Sequence, residues 1–323
     1  MKKYDVCGLG NALTDVLVHL KDDSLFEKNG IEKGSMTLVN TAEWDRVYDL
    51  MGGASGAVMS GGSCANSVAT CSLLGGKAVL QAKTGGDNFG AEYRRIYEGI
   101  CPGSHLVTGD GASGKCLSLI TPDAERTMRT DLGIANALHS DELDEEMIAS
   151  ASVLHLSGYL FTGGDIVEAA FRAMDIARQE KTRISLDVSD AFVIENFREA
   201  VDRAINDYAD IVFANEVEVK SLYGDVDTAR RALRDSCELG VMKFGGRGSE
   251  LVTRDDTITI DVHPVTAVDT TGAGDSYAGA VLYGLTHGFP LEKTGALASR
   301  VAAAVVSQTG AVLDKADHLL REV

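Results

Sequence analysis

The run Asp269-Thr-Thr-Gly-Ala-Gly-Asp275 stands directly before an amphipathic stretch from Gly274 to Thr286. Gly272 and Gly274 let the backbone approach a ligand and adopt dihedrals closed to other residues. If the stretch is a helix, the N–H groups of residues 272 to 275 point outward at its start, where the helix dipole adds partial positive charge. Such donors stabilise negative charge developing on a transferring phosphoryl group. Asp275, at their edge, is placed to orient a hydroxyl and accept its proton. The plainer reading is a glycine turn with an Asp cap, and the full seven residues plus the helix weigh against it.

A second stretch, Gly61-Gly62-Ser63-Cys64-Ala65-Asn66, also opens a helix. Asn66 offers a donor and an acceptor from the first turn, suited to a vicinal diol. Alone, these residues are as much a turn plus helix cap. Gly8-Leu9-Gly10-Asn11-Ala12-Leu13-Thr14-Asp15 resembles the start of a dinucleotide fingerprint but lacks its third glycine, so that reading is rejected. Asn11 and Asp15 are instead expected to bind hydroxyls at the carboxyl end of the first strand, where open α/β sheets place ligands. Gly109-Asp-Gly-Ala-Ser-Gly114-Lys115-Cys116 fits GxxxxGK, but Cys116 stands where a P-loop has Ser or Thr, and Lys115–Ile120 reads as a strand. A plain turn is expected there.

The elements that position these residues follow from periodicity. Val6–Leu9, Ala57–Ser60, Val79–Lys83 and Val153–Leu156 read as strands, and Ile184–Val188, Ile211–Ala214 and Leu239–Phe244 are short apolar runs, as strands buried on both faces require. Helices are expected from Thr41, as cap, through Leu50, over Ser63–Leu74, from the Asp87 cap through Glu98, over Asp165–Arg178, over Gly274–Thr286 and over Leu291–Ser307. Leu251–Val262 reads as a strand pair. This alternation predicts an α/β sheet with helices on both faces. Residues 16–40 and 104–130 break the pattern with short alternating runs and little helical period, and together they read as a small β lid. The large domain is then 1–15, 41–103 and 131–323.

Composition narrows the function. Of 323 residues, 45% are hydrophobic, and the formal net charge is -18. So acidic a chain argues against nucleic acid and anionic membrane surfaces, which need clustered Lys and Arg. No apolar stretch reaches the ~18 residues of a membrane span, and the apolar run after the N-terminus is too short for a signal peptide. The six cysteines form no CxxC pair and no zinc spacing, which fits buried thiols in a reducing cytoplasm.

Taken together, these stretches resemble the PfkB family of ribokinases, fructokinases and adenosine kinases, over almost the whole chain and in consistent order. The Asp269–Asp275 run is similar to the family's C-terminal signature, and Gly61-Gly62-Ser63, Asn66 and Leu74-Gly75-Gly76 to its N-terminal one. The resemblance implies a ribokinase-like three-layer α/β/α fold with a mostly parallel sheet and a β lid. It implies an anion hole at Gly272, Ala273 and Gly274, Asp275 as base, and substrate contacts from Asn11, Asp15, Gly61, Gly62 and Asn66. Asn215-Glu-Val-Glu218 matches the NxxE motif, which organises Mg2+ and phosphates through water. Lys243, Gly245 and Gly248 match the strand and loop over the phosphates of ATP. A monovalent cation such as K+ is implied beside Asp269 and Thr271.

Asn11–Asp15, Lys33–Met36, Thr127–Thr130 and Asp210–Asn215 look most like adenosine-kinase-like members, which makes adenosine the first expected acceptor and a free sugar such as ribose or fructose the alternative. A non-catalytic nucleotide-binding regulator and a purely structural α/β protein are weaker readings, disfavoured by Asp275 and by the ligand-type glycine turns. Arg126 and Arg129 are candidates for phosphate contact, or simply a solvated lid face. A homodimer through the lid and a monomer both remain open.

Overall fold

Val6, Cys7, Leu9, Leu154, Leu156, Ile184, Leu186, Val212 and Phe213 are all buried, as strands covered on both faces must be. The computed structural model describes residues 2–51, 56–123 and 125–322, so parts of the expected ranges 41–103 and 104–130 lie outside the described residues. The chain runs through β1 (Tyr4–Leu9), β2 (Leu13–His19), α1 (Ser24–Asn29), β3 (Met36–Leu38), α2 (Thr41–Asp49), β4 (Ala57–Gly61), α3 (Ser63–Leu73) and β5 (Ala78–Gly85). It continues with α4 (Asn88–Ile100), β6 (His105–Gly109), β7 (Gly114–Ile120), β8 (Arg126–Asp131), α5 (Glu145–Ala149) and β9 (Ala151–Ser157). Then come α6 (Ile166–Gln179), β10 (Arg183–Asp187), α7 (Ala191–Asp207), β11 (Ile211–Asn215), α8 (Glu216–Tyr223), α9 (Val226–Ser236) and β12 (Leu239–Lys243). The hairpin β13 (Ser249–Val252) and β14 (Thr257–Ile260) precedes α10 (Ala273–Thr286) and α11 (Leu291–Val306).

The larger sheet has the order β14-β13-β12-β11-β10-β9-β1-β5-β6, parallel from β12 to β6 and antiparallel at β13 and β14. One face buries apolar residues of α5 to α9, the other those of α3, α4, α10 and α11. This is the expected three-layer arrangement. No helix among the described residues is long and apolar enough to cross a membrane.

The smaller sheet has the order β3-β8-β7-β2-β4. Side chains alternate across a strand, and here the alternation divides labour. Val16, Val18, Leu117 and Leu119 bury against Phe26 of α1 and Trp44 and Val47 of α2. Leu13, Asp15, Cys116, Ser118, Met128 and Thr130 face a cavity on the other side.

The structure differs from the sequence expectations in five places. β6, expected in the lid, is the edge strand of the larger sheet, while β4, expected in the large domain, pairs with β2 in the smaller one. β2 begins at Leu13, ahead of the expected boundary at residue 16. A short helix, α1, occupies part of a segment expected to be all β. Finally, α2 is capped by Asn40, whose side chain accepts the Glu43 N–H, and not by Thr41. Asn40 has the extended backbone of a cap, and its carbonyl oxygen accepts the Trp44 N–H at 3.0 Å.

Two helices cross closely where the site is built. A Cβ on Gly279 of α10 would collide with the Ser67 carbonyl oxygen of α3, so only glycine permits this approach. Thr70 and Ser276 add a buried hydroxyl contact at 3.3 Å. The crossing sets the first turn of α3 against the first turn of α10.

Candidate active site

The carboxyl ends of β1, β9, β10, β11 and β12 converge on one cavity of about 450 Å³, bringing Asn11, Ser157, Asp187, Asn215 and Lys243 to its lining. The smaller sheet closes the opposite side.

Asp275 sits in the first turn of α10 and faces this cavity. Its Oδ1 accepts the Ser63 hydroxyl at 2.7 Å and its Oδ2 accepts the Asn66 amide at 2.9 Å. The α3–α10 crossing therefore holds the carboxylate in one orientation. Burial raises its pKa above the ordinary aspartate value, against the two hydrogen bonds; Asp187 adds to the rise and Lys243 opposes it.

The turn before it differs from expectation in one amide. Gly272 is left-handed at φ 72°, and Ser276 N–H opens the helix ladder on the Gly272 carbonyl. The Ala273 N–H is turned inward onto the Thr270 carbonyl at 3.3 Å. Among the described residues the N–H groups of Gly272, Gly274 and Asp275 have no acceptor, and only the last two belong to residues lining the cavity. The edge of free amides is thus narrower than the expected four.

Asn11, Asp15 and Gly62 line the cavity on the acceptor side. Gly62 has φ 103°, and a Cβ there would collide with the Asn11 carbonyl oxygen, so the chain can turn from β4 into α3 only with glycine. Gly61 lies within β4 under the Asp15 carboxylate and does not reach the cavity. Burial pushes Asp15 up to about 7, opposed by Arg126 and reinforced by Asp275. The Asn11 Oδ1 is buried without a hydrogen-bond partner among the described residues, an acceptor left for a ligand. Asn66 corrects an expectation. It does not line the cavity, and its donor is committed to Asp275, so it orients that carboxylate instead of offering itself to a diol.

On the other side, Asn215 and Glu218 form a reciprocal cap at the start of α8. The Asn215 side chain accepts N–H groups of Val217 and Glu218 at 2.9 and 3.0 Å, and Glu218 accepts the Asn215 N–H at 2.8 Å. Burial first, then Asp187, raises the Glu218 pKa. Lys243 lies against Gly274, its Nζ 3.3 Å from where a Cβ would stand, and pairs with Asp187 at 2.8 Å. Burial works against its charge, but Asp187 and Glu218 outweigh burial and hold Lys243 above the ordinary lysine value. Gly245 lines the cavity, whereas Gly248 is tucked against the Ile260 carbonyl oxygen of β14.

Asp187 and Ser63 carry weight here that sequence reasoning did not assign them. Asp187 was findable as the polar residue closing an apolar strand. The apolar lining by Leu13, Met36, Leu38, Met128, Leu132 and Phe192 was also not assigned.

The resemblance implies ATP and Mg2+. Among the described residues no three His, Cys, Asp or Glu side chains form a set that holds a metal ion. Glu218 and Asp187, two acids facing the cavity, suit water-mediated contact with an ion carried on phosphate oxygens. The pair expected to hold a monovalent cation is differently engaged. Asp269 accepts N–H groups of Thr271 and Gly310 at 3.0 and 2.9 Å, and Arg126 lies 3.3 Å from its Oδ2 while donating to the Thr271 hydroxyl. A guanidinium thus stands beside the pair expected to hold that cation. Arg129 bonds Thr37 at 2.9 Å within the smaller sheet, away from the cavity.

The profile of the pfkB family carbohydrate kinases matches residues 36–317. A nucleoside kinase of Methanothermobacter thermautotrophicus is 30% identical over 254 residues, covering 78% of this chain and 80% of that protein. Among solved structures, adenosine kinase from Sinorhizobium meliloti superposes with a TM-score of 0.90 at 31% identity, covering 99% of both chains. A probable sugar kinase protein from Rhizobium etli gives 0.91 at 27% identity, covering 100% of this chain and 99% of that one. The chain belongs to the pfkB family of carbohydrate kinases, with a ribokinase-like α/β fold, and is a kinase of a nucleoside or a sugar.

Proposed function

We propose that this kinase transfers the γ-phosphoryl group of ATP to the 5′-hydroxyl of adenosine. One observation carries the choice of acceptor: the cavity that holds Asp15 and Asp275 is also lined by the apolar side chains of Leu13, Met36, Leu38, Met128, Leu132 and Phe192. A purine ring suits such a lining, whereas a free sugar, bearing hydroxyls all round, would lose hydrogen bonds to water there. The family's nucleoside-acting relatives agree with this reading.

In this reading Asp15, Asn11 and the Gly62 backbone hold the ribose diol, and the smaller sheet closes as a lid to exclude water that would compete as acceptor. Ser63 and Asn66 hold Asp275 toward the 5′-hydroxyl, and Asp275 takes its proton. The N–H groups of Gly274 and Asp275, with the α10 dipole, stabilise charge on the phosphoryl group in transit. Lys243, Asn215, Glu218 and Gly245 serve the ATP phosphates, and Mg2+ bound to those phosphates would neutralise charge as the group leaves.

The test is kcat/KM for adenosine, other nucleosides, ribose and fructose with purified protein. Adenosine should exceed both sugars by orders of magnitude. Ribose or fructose as the better acceptor would replace this reading with a sugar kinase, for which the Rhizobium etli neighbour is the supporting observation.

A further inference from the structure

We propose that the guanidinium of Arg126 replaces the monovalent cation expected beside the Asp269–Asp275 turn, so that the protein needs no potassium there. The proposal rests on the reading of that turn as an anion-binding edge. Its first readout below does not.

Asp269 is the anchor of the turn. Its two oxygens accept the N–H of Thr271, within the turn, and the N–H of Gly310, in the segment after α11. Next to that segment, Gly272 packs so closely on Ala311 that a Cβ would meet its backbone. The carboxylate thus ties the turn to the segment that supports it. Its side chain is 8% exposed, and so buried a carboxylate beside an anion site needs a positive partner. Arg126, 12% exposed, supplies one from β8. One terminal nitrogen stands 3.3 Å from Asp269 Oδ2, and the other donates to the Thr271 hydroxyl.

Those are the two side chains on which a cation was expected. An ion bound to them would lie a few ångströms from a guanidinium that cannot lose its proton, away from the screening of bulk water. The arginine also differs from an ion in being tethered. It belongs to the smaller sheet, so charge compensation of the turn depends on where that sheet sits.

The experiment compares the unfolding midpoint of ligand-free protein in potassium chloride and in tetramethylammonium chloride at equal ionic strength. For wild type the two midpoints should coincide. For Arg126→Gln, which removes the charge and keeps a polar side chain, potassium should raise the midpoint by roughly 2–4 °C as the ion takes the vacated place. A potassium-specific rise in wild type would overturn the proposal, and that arm needs no variant to fold. A folded Arg126→Gln that ignores potassium would overturn it equally. As a second readout, wild-type phosphoryl transfer to its best acceptor should be unchanged on exchanging the two salts, and in the variant potassium should restore kcat lost without it. Potassium-activated turnover of the wild type would overturn the proposal. If no acceptor is turned over at all, the kinase mechanism fails while the unfolding comparison still decides the role of Arg126.

Discussion

The turn at Asp269–Asp275 and the inner face of the smaller sheet meet across one cavity but are built on different principles. The turn is backbone chemistry: a left-handed glycine, unpaired N–H groups at a helix start, and one carboxylate fixed by Ser63 and Asn66. The inner face is side-chain chemistry, assembled from alternate residues of β2, β3, β7 and β8. In the first arrangement the backbone is set within a few residues, and Gly272 leaves no room for a Cβ. The second is distributed and can be retuned one side chain at a time. Chemistry should therefore reside in the turn and choice of acceptor in the sheet.

The sharpest way to break that division is Asp275→Asn. It keeps the shape and removes the base, so kcat should fall by ~10²–10⁴-fold with both KM values nearly held, since general base catalysis contributes about that much. Near-wild-type turnover would strip Asp275 of the role. On the opposite wall, Met128→Ala should raise the adenosine KM about 10-fold and leave kcat within a small factor, because lost apolar contact weakens ground and transition states alike. An equal loss in kcat would show that the wall takes part in the chemistry.

Asn66→Ala probes how the turn is held, by its effect on pH dependence. The Asn66 hydrogen bond favours the ionised form of Asp275, whose pKa burial has already raised. Its removal should raise that pKa further. Because the base must be deprotonated, the acid limb of the kcat profile should move to higher pH; a limb that stays or moves down would separate Asn66 from the base. Lys115→Met should have the smallest effect. The Lys115 ammonium lies 4.0 Å from the centre of the Trp44 ring and pairs with Asp45 at 2.7 Å, on the side of the sheet away from the cavity. Turnover should be unchanged, and a large loss would revive the GxxxxGK reading of that loop.

The same division explains what the sequence disclosed. The turn was legible because its instructions are contiguous: glycines, the acid and the helix start fall within seven residues. The α/β alternation was legible because buried strands are short apolar runs. The apolar lining was not, since Leu13, Met36 and Met128 come together only through strand register, as in the pairing of Met36 with Met128. Membership of a sheet was hidden for the same reason: β6 and β4 look alike as strings, and only their partners separate them. Asp187 escaped notice as one of 48 acidic residues, with no neighbouring glycine to mark it. Asn66 was read as a ligand contact because a lone sequence cannot show that α3 and α10 cross.

Where the chain passes between the sheets has a mechanical consequence. The strand ends at Leu13, Gly61, Gly114 and Asp131 fall in one row of the smaller sheet, since Leu13 pairs with both Gly61 and Gly114, and Asp131 with the next residue, Lys115. If the smaller sheet moves as the proposed lid, that row is the line about which it would turn. In any tilt about it, the short lever arm belongs to Asn11, Asp15 and Gly62, and the long one to His19, Ile120 and Ala57 at the far ends. In the proposed reading, such a tilt would let the distal rim swing to admit acceptors of different bulk, while the hydroxyl to be phosphorylated would stay close to its bearing.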